Sequence, residues 1–231
     1  MRLGQIRIHR DMFLRVVAIG VPCGISGILQ SASNVILQSS VNSFNSADII
    51  AGNTAATDLN QFSYLVNSAF ASACVSFAGQ CYGAQKYDRL TKAMRSAMLI
   101  GSGLTLFIGS FIIVFPRFFL GFFASDPAVI DAGISKTIIM MLTIVPYTLG
   151  QILMGVLRGM RKSTGPTVIN AFAVCLPRIL WILFIFPLNP TTFMLYLCLP
   201  VSNLLDFAAL LIYYLREQKR LQQRQLEGSQ I

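Results

Sequence analysis

The sequence predicts an all-α fold: a polytopic membrane helix bundle of six transmembrane helices with both termini in the cytoplasm. Three observations carry this. First, no Asp, Glu, Lys or Arg occurs between Arg15 and Asp48, Asp58 and Lys86, Arg95 and Arg117, Lys136 and Arg158, or Arg178 and Asp206. Each gap holds a helix of about 20 residues, the length that crosses a hydrocarbon core. Second, the 231 residues are 55% hydrophobic and 12% charged, whereas soluble domains carry about 25% charge. The apolar runs are continuous rather than alternating, which favours helices over a β-barrel. Third, the basic residues alternate between connecting segments.

In order, the spans are expected at about 13–44, 49–82, 93–115, 127–157, 165–186 and 190–215. They make one six-helix lobe (1–215) followed by a polar cytoplasmic tail (216–231). The Asn- and Ser-rich segment from Asn42 to Asp48 separates the first two spans. Gly165-Pro166 stops and restarts a helix, and Pro187 and Pro190 bracket a tight turn. Arg2, Arg7, Arg10 and Arg15 precede the first span. Lys86, Arg89, Lys92 and Arg95 follow the second, and Arg158, Arg161 and Lys162 follow the fourth. Arg216, Lys219, Arg220 and Arg224 follow the sixth. The opposite connections offer only Arg117 and Lys136. By the excess of Lys and Arg in cytoplasmic loops, six spans with both ends inside satisfy this pattern. The apolar run after Arg2 and Arg7 is far longer than the core of a cleavable signal.

The net charge of +9 lies in short segments beside apolar runs, a distribution suited to lipid headgroups rather than nucleic acid. Cys23, Cys74, Cys81, Cys175 and Cys198 form no CxxC pair and read as reduced, small apolar residues. With His9 the one histidine, no zinc or haem ligand set is expected. Nucleotide-binding, serine-hydrolase and zinc-protease motifs are absent, so no enzyme and no cofactor is expected. Work done by the chain would draw on an ion gradient.

Polar residues within the spans are the candidates for function. Asn53, Asn60 and Asn67, with Thr57 and Tyr64 between them, share one stripe of the second helix, widened by Asp58, Gln61 and Ser68. Such a stripe must face other helices or a wet cavity; cavity lining and interhelical hydrogen bonding are both open. Ser26, Gln30, Asn34 and Gln38 recur at i+4 on the first helix, and Thr143, Tyr147 and Gln151 on the fourth. Amide and aromatic groups together suit cationic, amphipathic ligands. A substrate cleft is therefore expected from Gln30, Asn34, Asn60, Gln61, Tyr64, Asn67, Tyr147 and Gln151. Intramembrane charge is costly and points to function: Asp58, with no evident partner, is the favoured ion-coupling acid, and Asp206 the second. Arg178 and Asp206, on consecutive antiparallel helices at similar depth, are alternatively a structural ion pair, with Arg178 the one intramembrane cation. Gly20-x-x-x-Gly24, Gly79-x-x-x-Gly83 and Gly155-x-x-x-Gly159 permit close helix approach. Pro22, Pro146, Pro177 and Pro200 permit bends.

Three segments resemble one family. Gly20-Val-Pro-Cys-Gly24 is similar to the start of the seventh helix of the multidrug and toxic compound extrusion (MATE) transporters. Ala78-Gly-Gln-Cys-Tyr-Gly-Ala84 resembles their Gly-Gln-x-x-Gly-Ala element after the eighth helix. Val156-Leu-Arg-Gly-Met160, with Lys162, Ser163 and Pro166, resembles their Leu-Arg-Gly segment after the tenth. The resemblance covers almost the whole chain and implies the second of two six-helix lobes. It implies antiport of drugs or organic cations against Na+ or H+, in a plasma membrane of prokaryotic type. A second lobe would come from another chain or a homodimer. Many cation-coupled relatives carry a carboxylate in the seventh helix, where this chain has Gln30, Asn34 and Gln38. Alternatives are a truncated or inactive half-transporter, an assembly subunit, or a lipid-linked glycan flippase of the same superfamily, which would have a more cationic cleft.

Overall fold

A computed structural model describes residues 10–228; Arg2, Arg7 and His9 lie outside the described residues. Among the described residues, nine α-helices follow one another: α1 (Arg10–Asn42), α2 (Ala47–Gly83), α3 (Tyr87–Val114), α4 (Pro116–Leu120), α5 (Pro127–Leu142), α6 (Ile144–Gly159), α7 (Thr164–Leu180), α8 (Thr192–Tyr196) and α9 (Cys198–Gly228). A π-helical turn (Trp181–Ile185) and a 3-10 turn (Phe186–Leu188) extend α7. Among the described residues, five helices are long and apolar enough to cross a membrane, and α5 with α6, joined at a 50° bend, make a sixth if the pair counts as one span. The all-α bundle expected from the sequence is the fold found.

Local sequence explains the breaks. Ser46 caps α2 by accepting a bond from the Ile49 N–H at 3.5 Å. Asp126 caps α5 through the Ala128 N–H at 2.9 Å, with Pro127 in the first turn, where a missing N–H is harmless. The third helix begins at Tyr87 rather than at 93. Asp88 in its first turn suits the positive helix end, and Leu90 and Met94 are buried. The bend at Thr143 follows from Pro146, which cannot donate to the Leu142 carbonyl and crowds it. Pro200 likewise leaves the Tyr196 carbonyl without its helical partner, and the chain breaks there between α8 and α9. The Trp181 indole N–H donates to the Met194 carbonyl at 2.9 Å across the turn.

Glycine sets how closely the central helix α2 is packed. A Cβ on Gly52 would lie 2.6 Å from the Val129 carbonyl oxygen, and one on Gly133 would lie 2.9 Å from that of Gly52. α2 and α5 therefore touch backbone to backbone. On α6, a Cβ on Gly155 would meet the Ala71 oxygen at 2.5 Å, and one on Gly159 the Val75 oxygen at 2.6 Å. Of the three glycine pairs noted in the sequence, Gly155 and Gly159 make such a crossing; Gly20, Gly24 and Gly83 face open space in this chain. α3 closes over α6, where Gly101 and Gly109 receive Ile152 and Ile144 and the Thr148 and Thr105 hydroxyls lie 3.3 Å apart. α1 packs on α7, and α7 on α9.

The charged ends also differ. Arg117 and Asp131 pair at 2.7 Å on the surface. At the opposite end, buried Glu217 on α9 pairs with Lys162 at 3.3 Å and accepts from Arg220 at 2.9 Å. α9 thus continues as a packed helix beyond residue 215.

Gly155→Ala is expected to lower stability by about 1–3 kcal/mol, because neither backbone can yield without moving a helix. Gly20→Ala should leave it unchanged or slightly raised. Thermal unfolding of the detergent-solubilised chain compares the two.

Candidate functional site

A polar cleft of about 470 Å³ opens among α1, α2, α5, α6, α7 and α9. α1 contributes Gln30, Asn34 and Gln38; α2 contributes Asn53, Thr57, Gln61 and Tyr64. The bent pair adds Lys136, Met140, Tyr147 and Gln151, α7 adds Asn170 and Arg178, and α9 adds Asn203 and Asp206. The Tyr64 and Tyr147 rings stand 5.0 Å apart, tilted by 60°. Beyond them a smaller pocket of about 290 Å³ reaches Ser68 and Arg158.

Of the residues expected to line a substrate cleft, Gln30, Asn34, Gln61, Tyr64, Tyr147 and Gln151 do so. Asn60 and Asn67 do not. Asn60 is 2% exposed and donates to its own helix at the Ala56 carbonyl (2.6 Å) and to Met140 Sδ (3.0 Å). Asn67 is 1% exposed and donates to the Ser63 carbonyl at 2.9 Å. Residues seven apart drift about 20° per heptad around a straight helix. The Asn53–Asn60–Asn67 series therefore turns away from the cleft into the packing interface, while Thr57 and Gln61 turn toward it.

The charges differ more from expectation. Asp58 is exposed and lies outside the cleft lining. Asp206 is buried within it. The expected Arg178–Asp206 ion pair is not formed: among the described residues, no contact within 4.0 Å joins Arg178 or Asp206 to an opposite charge. Arg178 instead donates to Asn34 Oδ1 at 3.4 Å. Arg178 Nε and Asp206 Oδ1, both buried, have no protein partner. Asp206 is seated against the α6 backbone, where a Cβ on Gly150 would lie 3.4 Å from Oδ2.

Arg178 is also not the one intramembrane cation. Lys136, expected in an outer connection, is 4% exposed within α5. Its ammonium donates to the Asn53 carbonyl (3.1 Å), Asn53 Oδ1 (2.7 Å) and Thr57 Oγ1 (2.5 Å). The ring centroid of Tyr196 lies 5.7 Å away. The Asn53 amide is oriented by its own donation to Gln38 Oε1 at 2.9 Å. A chain of bonds therefore runs from α1 through α2 to α5. Lys136 was legible in principle: a helix starting at Pro127 puts it about 14 Å along the axis, well inside the span. Asn170 and Asn203 had a similar signal, lying at helical spacing from Arg178 and Asp206 on their own helices.

Asn53→Leu removes the amide acceptor that Gln38 of α1 orients toward Lys136. A loss of about 1.5–3 kcal/mol is expected, the range for hydrogen bonds to charged groups. Exposed Asp58→Asn should stay within about 0.5 kcal/mol. Denaturation midpoints in one detergent test both.

Comparison with known proteins agrees with this architecture. The MatE family model matches residues 22–183. "Probable multidrug resistance protein YoeA" of Bacillus subtilis (strain 168) is 26% identical over 176 residues, 73% of this chain and 36% of that protein. A MOP superfamily transporter from Pyrococcus furiosus superposes with a TM-score of 0.83 at 17% identity, covering 96% of this chain and 50% of that one. An outward-facing multidrug resistance MATE family transporter gives 0.80 at 16% identity, again over 96% of this chain and 50% of that one. The chain thus spans half or less of the length of these relatives. The bundle, the bent fourth span and the family match lead to one assignment: this chain belongs to the MatE family, is not an enzyme, and has the fold of one lobe of a MATE transporter.

Proposed function

We propose that the chain acts as one lobe of a secondary antiporter that exports drugs or organic cations in exchange for Na+ or H+. The observation that carries this reading is the cleft itself. Amides and two tyrosines from five helices converge on one cavity, and buried Asp206 lines it with one carboxylate oxygen that has no protein partner. Adaptable amide and aromatic groups suit broad ligand recognition. A second six-helix lobe, from another chain or a second copy, would complete the cleft, and rocking of the two lobes would alternate access. The basic ends of α2, α6 and α9 would face the cytoplasm of a prokaryotic-type plasma membrane, with residues 216–231 as a cytoplasmic tail. The multidrug resistance name of the Bacillus relative supports the drug-export reading.

Burial in the cleft supports Asp206 over Asp58 for the coupling role. A carboxylate inside the cleft can exchange a proton or cation for substrate, whereas one outside the lining cannot compete for the same space.

A second reading has its own support. Lys136 and Arg178 give the cleft two cations against the one carboxylate of Asp206. That balance favours an anionic cargo such as a lipid-linked glycan. The Pyrococcus transporter is itself described as having a binding pocket of reverse polarity that suggests a different function.

Ethidium efflux from cells lacking their own pumps, with the mass of the solubilised assembly, tests the proposal. A twelve-helix assembly with gradient-dependent efflux is expected. Asp206→Asn should reduce efflux by an order of magnitude or more, and Asp58→Asn should leave it near wild type. Efflux that survives collapse of both ion gradients, or that is insensitive to Asp206→Asn, would overturn the antiport mechanism. Binding of an anionic glycolipid in preference to ethidium would favour the second reading.

A further inference from the structure

Lys136 places its side-chain nitrogen in the interior with no acid in contact. It is 4% exposed, and among the described residues no carboxylate lies within 4.0 Å of its ammonium. Buried lysines are normally paired with an acid or displaced to the surface. Here the ammonium is held by one carbonyl, one amide oxygen and one hydroxyl, at 2.5 to 3.1 Å, all from a single turn of α2. These are neutral, hard oxygen ligands of the kind that replace the hydration shell of a small cation. The Tyr196 ring face adds a further attraction for positive charge.

The cage is built rather than incidental. Gln38 fixes the Asn53 amide so that its oxygen points at the ammonium. The Thr57 hydroxyl donates to the Asn53 carbonyl at 2.7 Å and so turns its lone pair toward Lys136. The glycine crossing of Gly52 and Gly133, one turn away, brings α5 close enough for the side chain to reach. All three ammonium donors are satisfied, so Lys136 has no bond left for a cargo, unlike Arg178.

We propose that Asn53 and Thr57 form a monovalent-cation site whose permanent occupant is the Lys136 ammonium, a tethered cation in the place a mobile ion would otherwise take. For transport, and resting on the antiporter reading above, this lobe brings its own charge to that position. Exchange of a mobile ion is then left to Asp206 or to the partner lobe.

Chemical rescue tests the cage without any transport assay. The full chain is purified as wild type, Lys136→Ala and Lys136→Met, and unfolded thermally in Na+, K+, ammonium, methylammonium or choline chloride. Wild type should respond to none of these beyond the choline control. Lys136→Ala should melt lower and recover several degrees, saturably, in ammonium or methylammonium but not in choline. Lys136→Met, which fills the space with an apolar chain, should not recover. Thr57→Val supplies a second measurement: it should lower the melting temperature in wild type and leave it unchanged or raised in Lys136→Met. A Lys136→Ala protein indifferent to every cation would overturn the proposal. So would wild type stabilised by Na+ over choline, or an equal Thr57→Val cost in both backgrounds. Loss of ethidium efflux alone would count against the antiporter reading and leave the cage untouched.

Discussion

The close backbone crossings of α2 with the two halves of the bent fourth span are the constraint on which the remaining structure depends. At Gly52 against Gly133, and at Ala71 and Val75 against Gly155 and Gly159, the absence of Cβ atoms lets helix axes approach until main chains touch. In lipid there is little hydrophobic drive between helices, so close van der Waals contact supplies the association. Two such crossings on the two sides of a bend clamp α5 and α6 along one face of α2. The bend at Thr143 then leaves Met140, Tyr147 and Gln151 aimed at a common space with Gln61 and Tyr64. Remove the crossings and the cleft has no fixed wall.

The second governing condition is that polar groups away from water need partners. The bundle meets it in two ways. Asn60, Asn67, Thr105 and Thr148 turn back onto carbonyls of their own helices or onto a neighbouring helix, and so sit within the packing. Gln38, Asn53, Thr57 and Lys136 instead satisfy one another across three helices. Arg178 Nε and Asp206 Oδ1 are buried beside the same cleft without a protein partner. The contrast separates polar groups satisfied within the packing from two that are not.

The architecture was largely written in the sequence. Charge-free stretches, an Asp126-Pro127 helix start and the alternation of basic segments are local or nearly local properties, and hydrocarbon leaves a spanning chain few alternatives to helix. The i+4 series of Gln30, Asn34 and Gln38, and of Tyr147 and Gln151, likewise gave a face without needing to know the neighbour. Pro146 was one of four prolines that permitted a bend, and the bend between α5 and α6 lies beside it. What sequence could not give was the phase of each helix against the others. Asn60 and Asn67 belong to the same polar stripe as Asn53, yet heptad drift carries them out of the cleft. Asp58 and Asp206 look alike as intramembrane acids, and tertiary packing buries one and exposes the other.

Charge pairing shows the same division most clearly. Similar depth made Arg178 and Asp206 plausible partners, but depth says nothing of azimuth, and the two do not meet. Lys136 seemed a loop residue because charge was taken to mark the end of a span. Its place in the interior depends on Gly52 and Gly133 permitting α5 to lie against α2, and on three oxygens of α2 being turned toward it. The sequence by itself determined that the chain is an all-helical membrane bundle with polar faces, because hydropathy and periodicity act along one helix at a time. Only the tertiary structure decided which polar groups share a cavity, because that depends on the rotation and separation of helices far apart in sequence.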